Sequence, residues 1–492
     1  MRRHTWVWAA AILAIAVALR FFLTSLSTIS GDGCWHLSAA EYFAGHGSLP
    51  LFDPIGRDEP FWAPPLFHIL ASFLYTIFGE WEMRMISPLF GSLSLVIAFL
   101  IFKKYLPPRQ ALYALTFLSF LPIMVDYSVL AYIDMMLFFF VLLSIFLGLE
   151  RRFFLASVSA GLAILTKYHG VLAIPLLLLI LYLMEGKTIE GLRSRSFLTK
   201  AAMVSAVPLL IALPWLLRNW ALLGNPIWPF LNFLFHGYEQ LSYSALDFGR
   251  LLFVSTWAST YLGFFGVPDG NYSLLFFFPI PYLGLLLMLF LLGTAVFLLP
   301  LFFGFRREKG NNPLVFIAAA VIGLFFLLFL VYVVNVGPNV SRILLPATLG
   351  LAVFFGIGAQ RIEKILKRWR WIVPFCLTML CVAFALILGI KFSAATHEWQ
   401  KYDDDFSWVQ QNTPKDAVFI AGGQCMPYHL HRTALFPSKA SPKVADYLWV
   451  NDAFRLDPRS ILTPDEKQRF LGGNATLAYQ NSRTGTAIYR LW

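Results

Sequence analysis

The residues best suited to chemistry lie in one polar stretch, residues 29–70, which follows the first apolar run of the chain. Asp32 is the first of them and lies between Gly31 and Gly33, which let the backbone come close to a substrate. A carboxylate here can act as a general base that takes a proton from an acceptor hydroxyl or amine. Asp is also a common helix N-cap, and residues 36–44 have a helical pattern, so a structural role is equally consistent with the sequence.

The same stretch offers candidate metal ligands. Asp32 and His36 are four residues apart and share one face if the segment is helical. The residues that could complete a shell are Asp53, Asp58, Glu59 and His68. Carboxylates suit a hard divalent cation. No closely spaced signature such as HExxH is present. We therefore expect no required cofactor, with a divalent metal at these residues as the alternative.

A second group of ionisable residues is predicted at the ends of apolar spans that face one side of a membrane: Asp126, Asp134, Lys167, His169, Arg218 and Arg342. Taken singly, each is typical of an interfacial side chain that reaches the lipid headgroups. Together, Lys167, Arg218 and Arg342 bring positive charge to phosphate depth, where arginine binds a phosphate through two hydrogen bonds and lysine acts as a point charge. The group predicts a phosphate site near Asp32, with Asp134 and His169 as further substrate contacts.

The composition indicates a polytopic membrane protein. Of the 492 residues, 58% are hydrophobic and 13% are charged, whereas soluble domains carry about 25% charged residues. A membrane span needs ~20 apolar residues. About eleven runs meet or approach that length, and because the runs within 153–185 are short or continuous, the number is open by about two. The predicted spans are 6–28, 83–102, 110–126, 130–149, 153–168, 170–185, 201–217, 276–304, 313–334, 343–360 and 371–390.

The net charge of +11 is best explained by orientation in the membrane. Basic clusters occur at residues 2–3, 103–109, 151–152, 187–200, 306–309 and 361–370. Successive clusters leave room for a pair of spans, or for one span plus the 29–70 loop, so all of them can lie on the cytoplasmic side. The N-terminal run is then a retained anchor, and the 29–70 loop and the tail are extracytoplasmic. The basic residues form no aromatic-interleaved stripe, which argues against nucleic-acid binding.

The polar tail predicts a second domain. Residues 1–390 are assigned to the membrane domain, and residues 391–492 to a small extracytoplasmic α/β domain of unknown role. The apolar segment from Pro64 to Gly79 is short for a span and predicts an interfacial helix. A disulfide between Cys34 and Cys425 requires both to face outward, and the sequence does not favour it.

The order of several motifs resembles the GT-C glycosyltransferases that use polyprenyl-phosphate sugars, a group that includes the protein O-mannosyltransferases and the lipid A aminoarabinose transferases. The motifs are GDGCWHLSAAEYFAGHG, PPLFHILASFLYTIFG, EMRMISPLFGSLSLVIAFL, YIDMMLFFF, GLAILTKYHGVLAIP, PWLLRNWALLGNPIWPF and SRILLPATLGLAVFFG. The resemblance implies that Asp32 is the catalytic carboxylate of the first outer loop. It also implies that Lys167, Arg218 and Arg342 hold the donor phosphate. Many relatives carry Lys before the PPL motif where this chain has Ala63, so the resemblance implies that Arg57, His68 or another cation replaces it.

These features predict an inverting glycosyltransferase of the cell envelope. A donor used outside the cytoplasm is more plausibly lipid-linked than a nucleotide sugar. We expect transfer of a single hexosyl or pentosyl group from dolichyl or undecaprenyl phosphate to a protein, lipid or glycan acceptor, with Asp32 as the general base. The WWDYG-type signature of oligosaccharyltransferases is absent, which argues against transfer of whole oligosaccharides. The alternatives are a transporter or flippase, and a ligase of lipid-linked glycans.

Overall fold

The computed structural model describes residues 3–50, 60–186, 188–238, 247–252, 257, 260, 298–305, 312–335, 341–423, 425–437, 445–452, 454, 462–472 and 475–491. The predicted site residues Arg57, Asp58 and Glu59 lie outside these ranges. The helices of the membrane part are α1 Arg3–Leu26, α2 Asp32–His46, α3 Leu66–Phe78, α4 Glu80–Arg84, α5 Ile86–Tyr105, α6 Pro108–Phe120, α7 Pro122–Val129, α8 Asp134–Leu149, α9 Phe153–Thr166, α10 Ala173–Glu185, α11 Ile189–Arg193, α12 Arg195–Leu223, α13 Asn232–Phe235, α14 Pro313–Asn335, α15 Ala347–Leu366 and α16 Ile372–Gln400. Short 3₁₀ helices occupy Tyr168–Leu172, Phe248–Leu252, Ser341–Leu344 and Lys367–Trp369.

The helices confirm a polytopic membrane protein. Six described helical segments are long and apolar enough to cross a bilayer, and a seventh is added if the bent pair α6–α7 counts as one span. The helices α8 and α9 are apolar but have only 16 and 14 residues. The predicted span 276–304 lies mostly outside the described residues, so the number eleven stays a prediction. The predicted interfacial helix is α3, which has 13 residues.

The bend between α6 and α7 follows from Pro122. Proline has no backbone N–H to donate to the carbonyl of Leu118, and the two helices meet at 48°. Arg20 of α1 is fully buried beside this break. Its guanidinium donates to the carbonyl of Ser119 at 3.0 Å and to the Ser128 hydroxyl at 3.1 Å. Arg20 thus supplies a donor where the helix ladder is interrupted, which fixes α1 against the bend.

The C-terminal region confirms the predicted small α/β unit. It follows α16, which continues past residue 391 to Gln400, and it contains α17 Asp403–Asn412, α18 Met426–Leu430 and α19 Pro464–Leu471. Five strands form one mixed sheet in the order β2-β1-β3-β5-β4. The strands are β1 Val418–Ile420, β2 Thr433–Leu435, β3 Tyr447–Val450, β4 Thr476–Asn481 and β5 Thr486–Arg490. The strand β1 pairs in parallel with β2 and β3, and β5 pairs antiparallel with β3 and β4.

The membrane helices and the C-terminal region share one continuous apolar core. The same buried cluster contains Phe67 of α3 and Phe419 of β1. Asp405 of α17 is buried and accepts hydrogen bonds from side chains of the β4–β5 hairpin, including Thr486 at 2.7 Å. Because buried carboxylates are costly unless they are hydrogen-bonded, this contact orients α17 against the sheet.

A disulfide joins Cys34 of α2 to Cys425 at the start of α18, with Cα atoms 4.9 Å apart. The sequence analysis did not favour this bond and was wrong on that point. The two cysteines are 391 residues apart, and nothing local in either segment indicates that α18 packs against α2. His429 of α18 stacks on Trp399 of α16, with ring centroids 4.2 Å apart, and completes this junction. The free thiols Cys376 and Cys381 lie in α16.

Candidate functional site

The carboxylate of Asp32 lies at the beginning of α2 and points to a cation. The N-cap of α2 is Gly31, and no side-chain hydrogen bond caps the helix within the described part of the chain. The carboxylate instead accepts a hydrogen bond from Arg342 at 2.5 Å. Arg342 lies in the 3₁₀ turn Ser341–Leu344, which connects α14 to α15. The side chains of Asp32 and Arg342 are 31% and 28% exposed, so the ion pair remains accessible.

Tyr132 holds the backbone that carries Asp32. Its hydroxyl accepts a hydrogen bond from the Asp32 N–H at 3.2 Å, and its ring lies 5.6 Å from the Arg342 guanidinium. Gly31 has a φ of +59°, and a Cβ added there would come within 2.6 Å of the Tyr132 hydroxyl. The close approach that Gly31 permits is therefore made by Tyr132, where the sequence analysis had expected a substrate.

The electrostatics of the pair keep Asp32 ionised. Burial raises the pKa of Asp32, but the charges of Arg342 and Lys167 outweigh it and hold the pKa well below its usual range. Burial likewise opposes the charge of Arg342, yet Asp32 and Asp134 raise the pKa of Arg342 well above its usual value. At neutral pH the site therefore contains a carboxylate and a guanidinium that stabilise each other.

A second ion pair lies next to the first. Lys167, directly after α9, donates to Asp134, the first residue of α8, at 2.7 Å. Their side chains are 13% and 3% exposed. Burial lowers the pKa of Lys167, Asp134 raises it and the neighbouring charge of Arg342 lowers it. Two carboxylates and two cations thus meet where the start of α8 and the end of α9 approach the start of α2.

The two predicted histidines form a neutral pair one turn further along α2 from Asp32. His36 Nδ1 and His68 Nε2 are 3.0 Å apart, and both residues are buried. Burial lowers the pKa of His68 to about 3. Burial and the neighbouring His68 hold the pKa of His36 well below its usual value. The pair ties α2 to α3 without adding charge.

The metal prediction concerns residues that the structure places only in part. Asp58 and Glu59 lie outside the described residues. Within the described residues, the group of side chains close enough to hold a metal ion is Cys34, Cys425 and His429. The two sulfur atoms of that group are joined in the disulfide. A divalent metal near His36 therefore stays a prediction.

Arg218 and His169 have other partners than Asp32. Arg218 donates to the Phe61 carbonyl and to the Asn219 side chain, both at 2.8 Å, and lies over the Trp215 ring. His169 contacts the Tyr332 hydroxyl at 2.7 Å. Arg218 therefore fixes the segment before α3, and its predicted phosphate contact has no direct link to the Asp32–Arg342 pair in the described residues.

Comparison with known proteins gives one family match and several similar folds. The family model described as dolichyl-phosphate-mannose-protein mannosyltransferase matches residues 62–217. ArnT from Cupriavidus metallidurans, solved bound to undecaprenyl phosphate, aligns with 99% of this chain and 98% of its own at 14% identity and a TM-score of 0.64. Archaeoglobus fulgidus AglB, an oligosaccharyltransferase solved with an inhibitory peptide and a dolichol-phosphate, aligns with 99% of this chain and 74% of its own at 15% identity and a TM-score of 0.56. No curated protein sequence matches.

The chain has the GT-C glycosyltransferase fold. The family match contains His68, Asp134 and Lys167, whereas Asp32 and Arg342 lie outside it. The sequence analysis named both members of each ion pair but not the pairing itself. It also missed Tyr132 as the residue that holds the Asp32 backbone. The signal available was its position two residues before Asp134, at the start of an apolar run.

Proposed function

We propose that the chain transfers a single sugar from a polyprenyl-phosphate donor to an acceptor on the extracytoplasmic face. The observation that carries the proposal is the accessible Asp32–Arg342 ion pair beside Lys167. It puts a carboxylate that can accept a proton next to cations that can bind a phosphate. The two GT-C chains solved with undecaprenyl phosphate and dolichol-phosphate support a donor of this class.

In the proposed reaction, Asp32 takes the proton of the acceptor hydroxyl or amine as that atom bonds to the anomeric carbon. The bond from the anomeric carbon to the phosphate oxygen breaks, and its electron pair leaves with the polyprenyl phosphate. This single displacement inverts the configuration of the sugar. Arg342 and Lys167 stabilise the charge that grows on the leaving phosphate. The reaction needs no metal, and unchanged turnover in EDTA would distinguish it from the alternative with a divalent ion at Asp58 and Glu59.

The ion pair also explains how a strongly acidic carboxyl can serve as a base. While Arg342 contacts Asp32, the pKa of Asp32 is held well below its usual range. A donor phosphate competes for Arg342, because arginine binds phosphate through two hydrogen bonds. Once Arg342 turns to the phosphate, its charge and hydrogen bond no longer lower the pKa of Asp32, so the proton affinity of the carboxylate rises. Donor binding would thereby activate the base.

A transporter or flippase remains the second candidate, because part of the bundle has features of one. The bent pair α6–α7 is a broken helix, and Arg20 is buried beside it. Asp126 of α7 forms an ion pair with Lys391 of α16. Intramembrane charges and broken helices are typical of transport paths. Here Arg20 donates a hydrogen bond to the Ser119 carbonyl at the helix break. This contact favours a structural role for Arg20 and therefore favours the transferase over the transporter.

The test uses purified full-length protein in detergent with radiolabelled polyprenyl-phosphate hexoses and pentoses, each supplied with protein, lipid and glycan acceptors. A transferase releases polyprenyl phosphate and labels an acceptor in equal amounts. A ligase labels acceptors only from lipid-linked glycans. A flippase moves labelled lipid across proteoliposomes without breaking the sugar–phosphate bond. Lipid movement with no release of polyprenyl phosphate for any donor would overturn the proposal.

A further inference from the structure

A cationic cavity lies at the end of the bundle opposite Asp32. It has a volume of about 280 Å³, and its charged lining consists of Arg151, Arg152 and Lys200. Its apolar lining includes Phe154, Leu155 and Met203. We define this set of residues as the Arg151 cavity. The proposed sugar transfer does not use it.

The helix directions separate the cavity from the sugar-transfer site. The helix α8 begins at Asp134 and α9 ends just before Lys167, so both of these helix ends lie at the Asp32 site. Arg151 and Arg152 connect the opposite ends of the same two helices. Lys200 lies near the start of α12, which runs back to Arg218 beside the segment before α3. The cavity therefore faces the other membrane boundary, which is the cytoplasmic one in the orientation that the basic clusters predict.

The charge of the cavity is only partly neutralised. Lys200 pairs with Glu185 at 2.7 Å, and the neighbouring Glu150 is paired with Lys104 at 2.7 Å. Arg151 and Arg152 are exposed, and across the described ranges no carboxylate or carbonyl oxygen bonds to either guanidinium. The two arginines thus present uncompensated positive charge to whatever occupies the cavity.

The backbone turn between α8 and α9 fixes the position of the two arginines. Arg151 has a φ of +59°, in the left-handed region that residues other than glycine rarely adopt. This conformation makes the turn between α8 and α9, and it leaves both arginines next to the first turn of α9. The Arg152 N–H bonds to the Leu147 carbonyl and the Arg151 N–H to the Gly148 carbonyl, both at 2.9 Å, as in a common type of helix C-terminus, so this conformation places the arginines but does not itself indicate a site.

The apolar lining is arranged like a lipid boundary. Phe154 and Leu155 are 57% and 46% exposed on the first turn of α9, next to the arginines. The cavity is slightly smaller than the roughly 300–1,000 Å³ of sites that enclose a whole small molecule. Its size therefore suits a headgroup, with acyl chains lying outside it along Phe154 and Leu155.

We propose that the Arg151 cavity binds the phosphodiester headgroup of an anionic phospholipid. Arg151 and Arg152 would donate charge-assisted hydrogen bonds to the phosphate oxygens, while Phe154 and Leu155 contact the acyl chains. A zwitterionic headgroup has the same phosphodiester but brings its own cation near the arginines, so it should bind more weakly. Arginines that merely reach into the headgroup layer also favour anionic lipid, but they do not retain one lipid at a defined place.

The experiment is a titration of the delipidated full-length protein in detergent, with bound lipid counted by native mass spectrometry. The probes are phosphatidylglycerol, phosphatidylcholine of matched chains, and inorganic phosphate. One phosphatidylglycerol should be retained in preference to phosphatidylcholine. The double variant Arg151→Gln, Arg152→Gln should lose that affinity about tenfold or more, as expected for two arginine contacts to an anionic lipid. Arg193→Gln is the matched control, because Arg193 is exposed in α11 and does not line the cavity.

Three outcomes would overturn the proposal. They are equal retention of the two lipids by the wild type, undiminished phosphatidylglycerol binding by the double variant, and displacement of the lipid by inorganic phosphate at similar concentrations. The last would assign the cavity to a small anion. If the double variant does not fold, Arg152→Gln alone and the charge-preserving pair Arg151→Lys, Arg152→Lys replace it. Arg152→Gln should then weaken binding, the lysine pair should keep the preference for anionic lipid, and failure of either expectation counts against the proposal.

Discussion

The carboxylate of Asp32 lies 2.5 Å from the guanidinium of Arg342, although 310 residues separate them in the chain. One belongs to the loop after the first helix, and the other to the turn before α15. Tyr132 contacts both, through its hydroxyl and its ring. The proposed base and the proposed phosphate-binding cation are therefore brought together by the closure of the helix bundle, with Tyr132 between them.

Replacing Asp32 with Asn tests the proposed base. Asn keeps the shape of the side chain but cannot take a proton, so turnover should fall ~10²-fold or more. The fold and donor binding should change little. A helix cap would tolerate Asn, since Asn and Asp cap helices about equally. Asp404→Asn is the control, because Asp404 is exposed in α17. Initial rates and thermal unfolding of both variants give the answer, and a well-folded Asp32→Asn enzyme with wild-type turnover would remove Asp32 from the mechanism.

The pH dependence tests the role of Arg342. Because the pKa of Asp32 is held well below its usual range, the ionised base is present at every pH above that value and is lost only as the pH falls through it. Arg342→Gln removes the largest of the charges that oppose burial, so the pKa of Asp32 should rise. The acidic limb of kcat/KM should then move up by about 1–3 pH units. Arg342→Lys keeps the positive charge, so its acidic limb should stay close to the pH of the wild-type limb.

The measured quantity is the pH at which kcat/KM begins to fall, not the rate itself. Loss of phosphate stabilisation lowers the rate equally at every pH and does not move that point. An acidic limb at the same pH in wild type, Arg342→Gln and Arg342→Lys would mean that the limb does not report Asp32. The ion pair would then have no part in setting the basicity of the site.

Donor affinity tests the phosphate contacts. Lys167→Ala and Arg342→Ala should each weaken donor binding by ~1.5–3 kcal/mol if a charged hydrogen bond is lost. Arg218→Ala carries the same expectation from the sequence, but the contacts of Arg218 with Phe61 and Asn219 favour a smaller direct effect. Binding of a labelled donor analogue to the three variants distinguishes the cases. Unchanged affinity in all three would discard a phosphate site at this end of the bundle.

The sequence was most informative where polarity itself is the signal. A charge at the end of an apolar run is costly in lipid, so Asp134, Lys167 and Arg342 could be placed at one boundary without a structure. Their pairing could not be predicted, because each partner lies on a different helix and side-chain spacing along one segment says nothing about it. Arg218 shows the limit of the depth argument: it too follows an apolar run, but it bonds to Phe61 and Asn219.

The two glycines beside Asp32 led to an incorrect expectation about what approaches the backbone there. Gly31 and Gly33 indicate a close approach, but the sequence cannot say what approaches. The structure places Tyr132 there, from a segment 100 residues away. The Cys34–Cys425 bond was missed for the same reason, since cysteine spacing does not report the packing of α18 on α2.

Cysteine labelling tests the predicted orientation. The sequence offers Ser438 in the tail as an outer label, but it lies outside the described residues, so the label is placed at Ser482 in the exposed turn between β4 and β5. In a background with Cys376 and Cys381 changed to Ser, Ser482→Cys should react with an impermeant thiol reagent in intact cells. Arg193→Cys should react only after the membrane is opened. Reversed labelling would put the Asp32 site on the cytoplasmic face and exclude the proposed donor supply.

The disulfide tests whether the C-terminal region supports the site. Cys34 is two residues after Asp32, so breaking its bond to Cys425 frees α18 from the helix that carries the proposed base. The His431–Glu41 contact at 3.3 Å and the Tyr428–Glu80 hydrogen bond should still hold the region in part. A disulfide typically contributes 2–4 kcal/mol, so Cys34→Ser with Cys425→Ser should make the C-terminal region more sensitive to protease and lower turnover. Cys376→Ser is the control, because that thiol is free. Equal proteolysis rates and turnover in wild type, the double variant and the control would show that the remaining contacts suffice and that the bond has no role in positioning Asp32.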